Sequence, residues 1–276
     1  MDAEGLSDFE NARTQRQQLL PAIRERGQRK LNRATVAVVG AGGLGSPVIQ
    51  YLVAAGVGSL VVIDHDVIEL SNLNRQVIHS AADVGTPKTA SATSAISRLA
   101  PECRVTVSRE RLTAHNAVDL LSGADVVVDG SDTFETRFDV SRAAEVLRIP
   151  VVWGAVLGWD AQVTVFHPNP PEDSEFLAYR LGDLFADSPE VRVGDTCSTL
   201  GVMGAVCGYA GSLMALETIK LLTGAGTPLF GCVTIFNGLT GESRNVRLAP
   251  AQRQGVSGYP PSSQFHLSPT ESGHRD

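Results

Sequence analysis

The stretch from Val38 to Asp66, VVGAGGLGSPVIQYLVAAGVGSLVVIDHD, runs from a β-branched segment into a glycine turn, then a helix-length apolar stretch, then a second apolar strand. This order constrains the fold more than any other feature. Two strands joined through a helix must lie parallel in one sheet, and glycines at the turn let bare backbone approach phosphate oxygens at the helix N-terminus. The spacing predicts a strand over Ala34 to Val39, a helix over Leu44 to Ala55 and a strand over Leu60 to Ile63. The alternation continues with a helix near Pro87 to Leu99, a strand near Arg104 to Val107 and a helix near Ala114 to Leu121. A strand at Val126 to Val128, a helix near Thr133 to Leu147 and a strand at Val151 to Trp153 complete it.

Repeated βα units imply an α/β fold, a doubly wound and mostly parallel Rossmann-like sheet. After Trp153 the rhythm changes. A strand over Ala161 to Phe166 leads into a Pro-, Asp- and Glu-rich crossover, His167 to Asp195, and then a helix from about Gly201 to Leu222. Cys232 to Phe236 and Ser243 to Leu248 read as antiparallel strands extending the sheet at its C-terminal end. One domain is expected over 1–249, with a nucleotide-binding half over about 30–153 and a crossover half over about 154–249. Residues 250–276, rich in Gln, Ser, Pro and Gly, read as a disordered tail.

Composition narrows the function class. A chain of 276 residues that is 43% hydrophobic can bury a substantial core. Its formal charge of -7 and the lack of any run of Lys or Arg predict neither a nucleic-acid nor an anionic-membrane partner. The polar, acidic N-terminus lacks the basic start and apolar run of a secretory signal, and a cytoplasmic location is expected. Thr196 to Leu216 is uncharged over 21 residues, long enough to raise a membrane span. Its four glycines, with Glu217 and Lys220 following, favour a closely packed buried helix instead. Cys103, Cys197, Cys207 and Cys232 form no CxxC pair, which suits a reducing compartment.

Gly40, Gly42 and Gly45 form the Gly-x-Gly-x-x-Gly turn, and Asp64 stands 19 residues beyond Gly45 at the end of the next strand, where a carboxylate can accept ribose hydroxyls. That geometry serves any adenosine nucleotide, so a nicotinamide-dependent oxidoreductase stays open on this feature alone. The charges further along discriminate. Ser71-Asn72-Leu73-Asn74-Arg75-Gln76 is a polar loop soon after the Asp64 strand. Gly85-Thr86-Pro87-Lys88 opens a helix, with Thr86 as the expected N-cap and Pro87 at the first helical position. Lys88 then lies in the first turn, where the helix dipole disfavours a cation by about 0.3–1 kcal/mol. It either faces an anion or points to water. Asp129-Gly130-Ser131-Asp132 ends another strand; Asp129 reads as a cap on its own turn, and Asp132 as a candidate ligand for Mg²⁺ bridging phosphate oxygens.

With the glycine loop, SNLNRQ, GTPK and GSDT in this order, the chain resembles the ubiquitin-activating-enzyme superfamily, in particular its bacterial MoeB/ThiF branch, over roughly residues 10–248. The resemblance implies MgATP-dependent adenylation of the C-terminal glycine of a small ubiquitin-like sulfur-carrier protein, with pyrophosphate leaving. It implies that Gly43 joins Gly40, Gly42 and Gly45 in cradling nucleotide and that Asp64 holds the ribose. Asn72, Arg75 and Lys88 would be phosphate ligands, Ser71, Asn74, Gln76 and Thr133 would also bind the nucleotide, and Asp132 would be the Mg²⁺ residue. Arg16, in RTQRQ, resembles an arginine that reaches into the neighbouring subunit's site, which implies a homodimer. Cys197 matches a family cysteine that can take part in thioester or acyl-disulfide chemistry; it is either catalytic or a passive loop thiol.

The departures carry expectations too. Relatives with two CxxC pairs hold a structural zinc. Here Ala178 and Leu181 stand where the first pair would fall and no cysteine follows Cys232, so no zinc is expected. No rhodanese-like segment is recognised, so sulfur is expected from a separate donor. Thr133 stands where asparagine is common, and Thr14 where tyrosine is. Other readings that stay open are adenylation of a different carboxylate or amide, such as a peptide or a tRNA base, and a non-catalytic scaffold.

Overall fold

The computed structural model describes residues 5–168, 170, 179–185 and 201–248. Its centre is one eight-stranded sheet in the order β3-β2-β1-β4-β5-β6-β7-β8. Five strands are parallel: β1 (Thr35–Val39), β2 (Ser59–Ile63), β3 (Arg104–Ser108), β4 (Val126–Asp129) and β5 (Val151–Leu157). Three more, β6 (Asp160–Phe166), β7 (Cys232–Asn237) and β8 (Glu242–Arg247), continue it antiparallel. The expected fold class is the observed one.

The sheet is covered on both faces, which is why its inner strands read as unbroken β-branched runs. Val36 and Val38 of β1 face one core, and Ala37 and Val39 the other. Helices α3 (Gly45–Ala54) and α4 (Lys88–Leu99) cover the first face. Helices α5 (Ala117–Leu121) and α6 (Phe134–Leu147) cover the second. A short α7 (Leu181–Leu184) lies beside α6.

The long apolar helix α8 (Gly204–Thr223) meets the length and composition of a membrane span, yet it packs on α3, β5 and β6. Small residues let it sit that close. A Cβ on Gly211 would strike Pro47 and the Leu44 carbonyl, and one on Gly204 would strike the Asn74 carbonyl. Glu217, buried near its end, pairs with Lys220 and accepts a hydrogen bond from the Leu229 amide at 2.9 Å.

Several boundaries move. β5 runs on to Leu157 and forms a hairpin with β6, because the antiparallel partner extends the pairing past the parallel edge. α5 starts at Ala117, α8 at Gly204, and β8 covers Glu242–Arg247. Pro87, not Thr86, is the N-cap of α4: its backbone is extended, its carbonyl accepts from the Ala90 and Ser91 amides, and Thr86 Oγ1 is turned onto the Asp83 carbonyl. Lys88 is accordingly the first helical residue. The expected tail, 250–276, and the crossover positions around Ala178 and Cys197 lie outside the described residues.

Two N-terminal helices carry no sequence expectation: α1 (Asp8–Gln18) and α2 (Arg24–Arg33). α1 is capped by Ser7 Oγ, which accepts from the Glu10 amide. Its role is to finish α3, since Arg13 donates to the Val53 and Ala54 carbonyls at 2.9 and 2.8 Å. Those carbonyls have no partner within their own helix. Buried Gln28 of α2 takes the next one, Ala55, at 2.8 Å.

Candidate nucleotide-binding site

Strand register brings the sequence motifs to one edge. Val39 of β1 lies level with Ile63 of β2 and with Asp129 of β4. Gly40, Asp64 and Gly130 are each the next residue along, so they emerge side by side. This is also where the strand order reverses, between β1 and β4, and open α/β sheets leave a crevice at such a point.

The glycine turn is tight. Gly40 adopts φ 90°, a left-handed conformation that side chains disfavour, and a Cβ there would lie 3.1 Å from the Gly130 carbonyl. The Ala41 amide donates to Asp64 Oδ2 at 2.7 Å, and the Asp66 amide donates to Asp64 Oδ1 at 2.8 Å. The Asp64 carboxylate therefore anchors the loop, and each oxygen retains acceptor capacity for a further partner. No hydrogen bond engages the Gly42, Gly43 or Leu44 amides among the described residues. A row of unpaired amides leading into a helix N-terminus is an anion site by construction.

The SNLNRQ segment folds against this loop. A 3-10 turn at Leu70–Asn72 is closed by Asn72 Oδ1, which accepts from the Glu69 amide at 3.0 Å. Asn72 is thus buried in turn formation, while exposed Ser71 donates to Glu69. Arg75 donates to the Ser71 carbonyl and to Asn74 Oδ1, both at 3.0 Å, and a Cβ on Gly43 would touch its Cγ at 3.5 Å. Buried Gln76 sits across from Gly42, and its Oε1 has no hydrogen-bond partner. Cys207 of α8 is buried against Gly43: a Cβ on that glycine would lie 3.0 Å from its sulfur.

Lys88 faces an anion rather than water. Its amine pairs with Asp66 Oδ2 at 2.7 Å, and only 8% of its side chain is exposed, against 51% for Asp66. Burial pulls the Asp66 carboxyl pKa upward, but the hydrogen bond and charge of Lys88 outweigh this and hold it below the usual range. The pair ties the start of α4 to the loop after β2. Asp66 was absent from the sequence-derived site, although it lies two residues past Asp64.

At the third corner, Asp129 is 1% exposed and accepts from the amide and hydroxyl of Ser131 at 3.0 and 2.7 Å, the cap expected of it. Burial pushes its carboxyl pKa up, with Arg137 and Ser131 opposing. Arg137 donates to the Ser131 carbonyl and stacks over Phe134 and Trp153. Asp132 is exposed, and its carboxylate accepts no hydrogen bond among the described residues. Thr133 is the N-cap of α6, accepting from the Thr136 amide. Arg16, on α1, is exposed and makes no hydrogen bond among the described residues, unlike its neighbour Arg13. Cys197 lies outside the described residues.

Replacing Arg137 with Met is expected to destabilise the fold by about 1–3 kcal/mol, because it removes the hydrogen bonds to the Ser131 carbonyl and the cation that offsets burial of the Asp129 carboxyl. The sign with pH follows from the raised Asp129 pKa. The native state holds this proton longer than the unfolded chain, so the group favours folding most below pH 3.8 and stability declines as pH rises through the folded-state value. Urea denaturation across that range should show a steeper decline in the variant.

Asp64, His65 and Asp66 bring possible metal-ligand atoms within 4.8 Å of one another. The two carboxylates are already committed, to backbone amides and to Lys88, so their charge is met without an ion.

The model of the ThiF family matches residues 14–257. The chain belongs to the ThiF family. The sulfur carrier protein adenylyltransferase of Thermus thermophilus is 43% identical to this ThiF-family chain over 249 residues, covering 90% of it and 91% of the relative. The probable adenylyltransferase/sulfurtransferase MoeZ of Mycobacterium tuberculosis is 39% identical over 89% of the chain, and the adenylyltransferase and sulfurtransferase MOCS3 of Arabidopsis thaliana 41% over 88%. The chain spans 62% and 51% of those two longer proteins. Among solved structures, PaaA superposes with a TM-score of 0.74 at 22% identity, covering 90% of this chain and 76% of that one. Escherichia coli MccB with ATP superposes at 0.69 and 21%, covering 84% and 69%. These two establish the shared fold.

Proposed function

We propose that the protein is an ATP-dependent adenylyltransferase that activates the C-terminal glycine carboxylate of a small ubiquitin-like sulfur-carrier protein. The observation that carries this reading is the convergence at the β1–β4 edge: unpaired loop amides, the Asp64 carboxylate, Arg75 against Gly43, Lys88 held beside the β2 end, and Asp132 after β4. Kinship with the Thermus enzyme, matched over nearly its full length, supports the substrate class. An oxidoreductase using nicotinamide would need the loop and Asp64 but gains nothing from the cations, and the named relatives are adenylyltransferases.

A carrier carboxylate oxygen attacks the α-phosphorus of ATP, the bond to the β-phosphate oxygen breaks, and pyrophosphate departs from an acyl-adenylate. Both reactants are anions and no proton needs to move, so the protein's task is alignment and charge neutralisation. The Gly42 and Gly43 amides hold phosphate oxygens, Asp64 takes the ribose, and Arg75 and Lys88 offset the charge on the departing pyrophosphate. Arg16, with no hydrogen bond among the described residues, reaches the triphosphate of a second copy in a homodimer.

Asp132 fits Mg²⁺ because it is a hard oxygen donor, exposed at the crevice and without a hydrogen bond among the described residues, and Mg²⁺ prefers one or two carboxylates plus substrate phosphate. When bound, the ion would neutralise phosphate charge. No zinc is proposed; a stoichiometric zinc signal in elemental analysis of the purified protein would overturn that. Sulfur comes from a separate donor, and the reaction takes place in the cytoplasm, which the Cys103 and Cys232 thiols, neither in a disulfide, support.

The test is mass spectrometry of a glycine-ended carrier incubated with the protein and MgATP. A carrier gaining the mass of an AMP group, and trapped by hydroxylamine as its hydroxamate, is expected. A carrier left unmodified across molybdopterin-, thiamine- and cysteine-pathway types would favour a non-catalytic scaffold.

A further inference from the structure

His79 lies between the glycine loop and α4, buried, with Nε2 3.0 Å from the Ala41 carbonyl oxygen and Nδ1 3.0 Å from Ser91 Oγ. A carbonyl only accepts, so Nε2 carries the proton and Nδ1 accepts from the Ser91 hydroxyl. Ala41 is thereby gripped twice, its amide by Asp64 and its carbonyl by His79. The C=O and N–H of one trans peptide point in opposite directions. Drawing the Ala41 carbonyl toward the ring turns the Gly42 amide to the far side, where it has no partner among the described residues.

We propose that His79 is a positioning residue for adenylation: by holding the Ala41 carbonyl it fixes the peptide plane that aims the Gly42 amide at the phosphate chain of ATP. This rests on the adenylyltransferase reading above. The ring's surroundings suit a neutral donor. Burial lowers its pKa, the Ala41 hydrogen bond acts in the opposite sense, and Lys88 lowers it further, while Asp64 and Asp83 favour the charged form less strongly. The neutral tautomer with Nε2–H is the one a carbonyl requires.

The phosphate-facing amide serves bound ATP and transition state alike, so its loss should appear in KM more than in kcat. The experiment is calorimetric titration of the full chain with MgATP, alongside KM and kcat in carrier-dependent pyrophosphate exchange and the melting temperature of each variant. His79→Leu should weaken ATP binding and raise KM about tenfold with a smaller change in kcat. His79→Gln, whose amide can donate to the same carbonyl, should restore affinity to within about threefold of wild type. A folded His79→Leu that binds ATP as the wild type does, or a folded His79→Gln no better than Leu, overturns the proposal. Should His79→Leu not fold, Ser91→Ala replaces it, since losing the Nδ1 partner frees the tautomer. A severalfold loss of affinity is then expected, and unchanged affinity overturns. A wild type that binds no ATP would bring down the adenylyltransferase reading itself, and this assignment with it.

Discussion

Replacing Lys88 with Met is expected to cut carrier-dependent ATP–pyrophosphate exchange by about 100- to 1000-fold, the usual cost of removing one preorganised charge from a site where charge develops. Lys88 begins α4, where the helix dipole opposes a cation, and a buried amine is costly unless paired. The Asp66 carboxylate meets both demands and holds the amine at the sheet edge. Asp66 is half exposed, so losing its partner should cost only about 1 kcal/mol, and Met keeps the apolar stem in place. The melting temperature should then fall by only a few degrees while exchange collapses. Asp66→Asn should give a smaller loss of exchange, since the cation stays but is less well aimed. Full exchange in a folded Lys88→Met variant would remove Lys88 from the phosphate site.

The second large effect concerns stability. A Cβ on Gly45 would overlap the Gly40 carbonyl, backbone against backbone, with no side chain able to rotate away. Gly45→Ala should therefore destabilise the fold by about 3 kcal/mol or more, a fall in melting temperature of roughly 6–12 °C for a domain of this size. Gly208→Ala is the internal control. It lies within α8 with nothing inside 4 Å of the added carbon, so replacement should stabilise by about 0.5–1 kcal/mol through helix propensity. Thermal melts of the two variants moving in the same direction would mean the turn is not packed as described.

The βα alternation was legible because strands buried on both faces must be apolar at every position, and each is bounded by turn residues. Residues 126–128 and 36–39 are of this kind. The motifs were legible because register alone carries Gly40, Asp64 and Asp129 to one edge. The N-terminal helices were not. DFENARTQRQQ holds a single large apolar residue, and its structural work is done by Arg13 and Gln17 hydrogen bonds to carbonyls 38–41 residues away. Likewise, no run of basic residues exists, yet Arg26, Arg29, Lys30 and Arg33 fall at helical spacing and line one side of α2.

Partners distant in sequence explain the remaining misses. Lys88 finds Asp66 22 positions earlier, and His79 finds Ala41 38 positions earlier. Neither pairing leaves a local pattern. The approach of α8 to the glycine loop left one, in the glycines of its sequence, Gly204 and Gly211 among them, which predicted close packing without naming what would be packed against.

Isotope exchange between ATP and pyrophosphate, measured with a glycine-ended carrier present and absent for wild type, Lys88→Met and Asp132→Ala, bears most directly on the claim that one sheet edge grips a triphosphate for adenylation. Exchange that requires carrier in the wild type and disappears in both folded variants is the predicted result. Exchange undiminished in both variants, or a protein that takes up NAD(H) and ignores ATP, would contradict it.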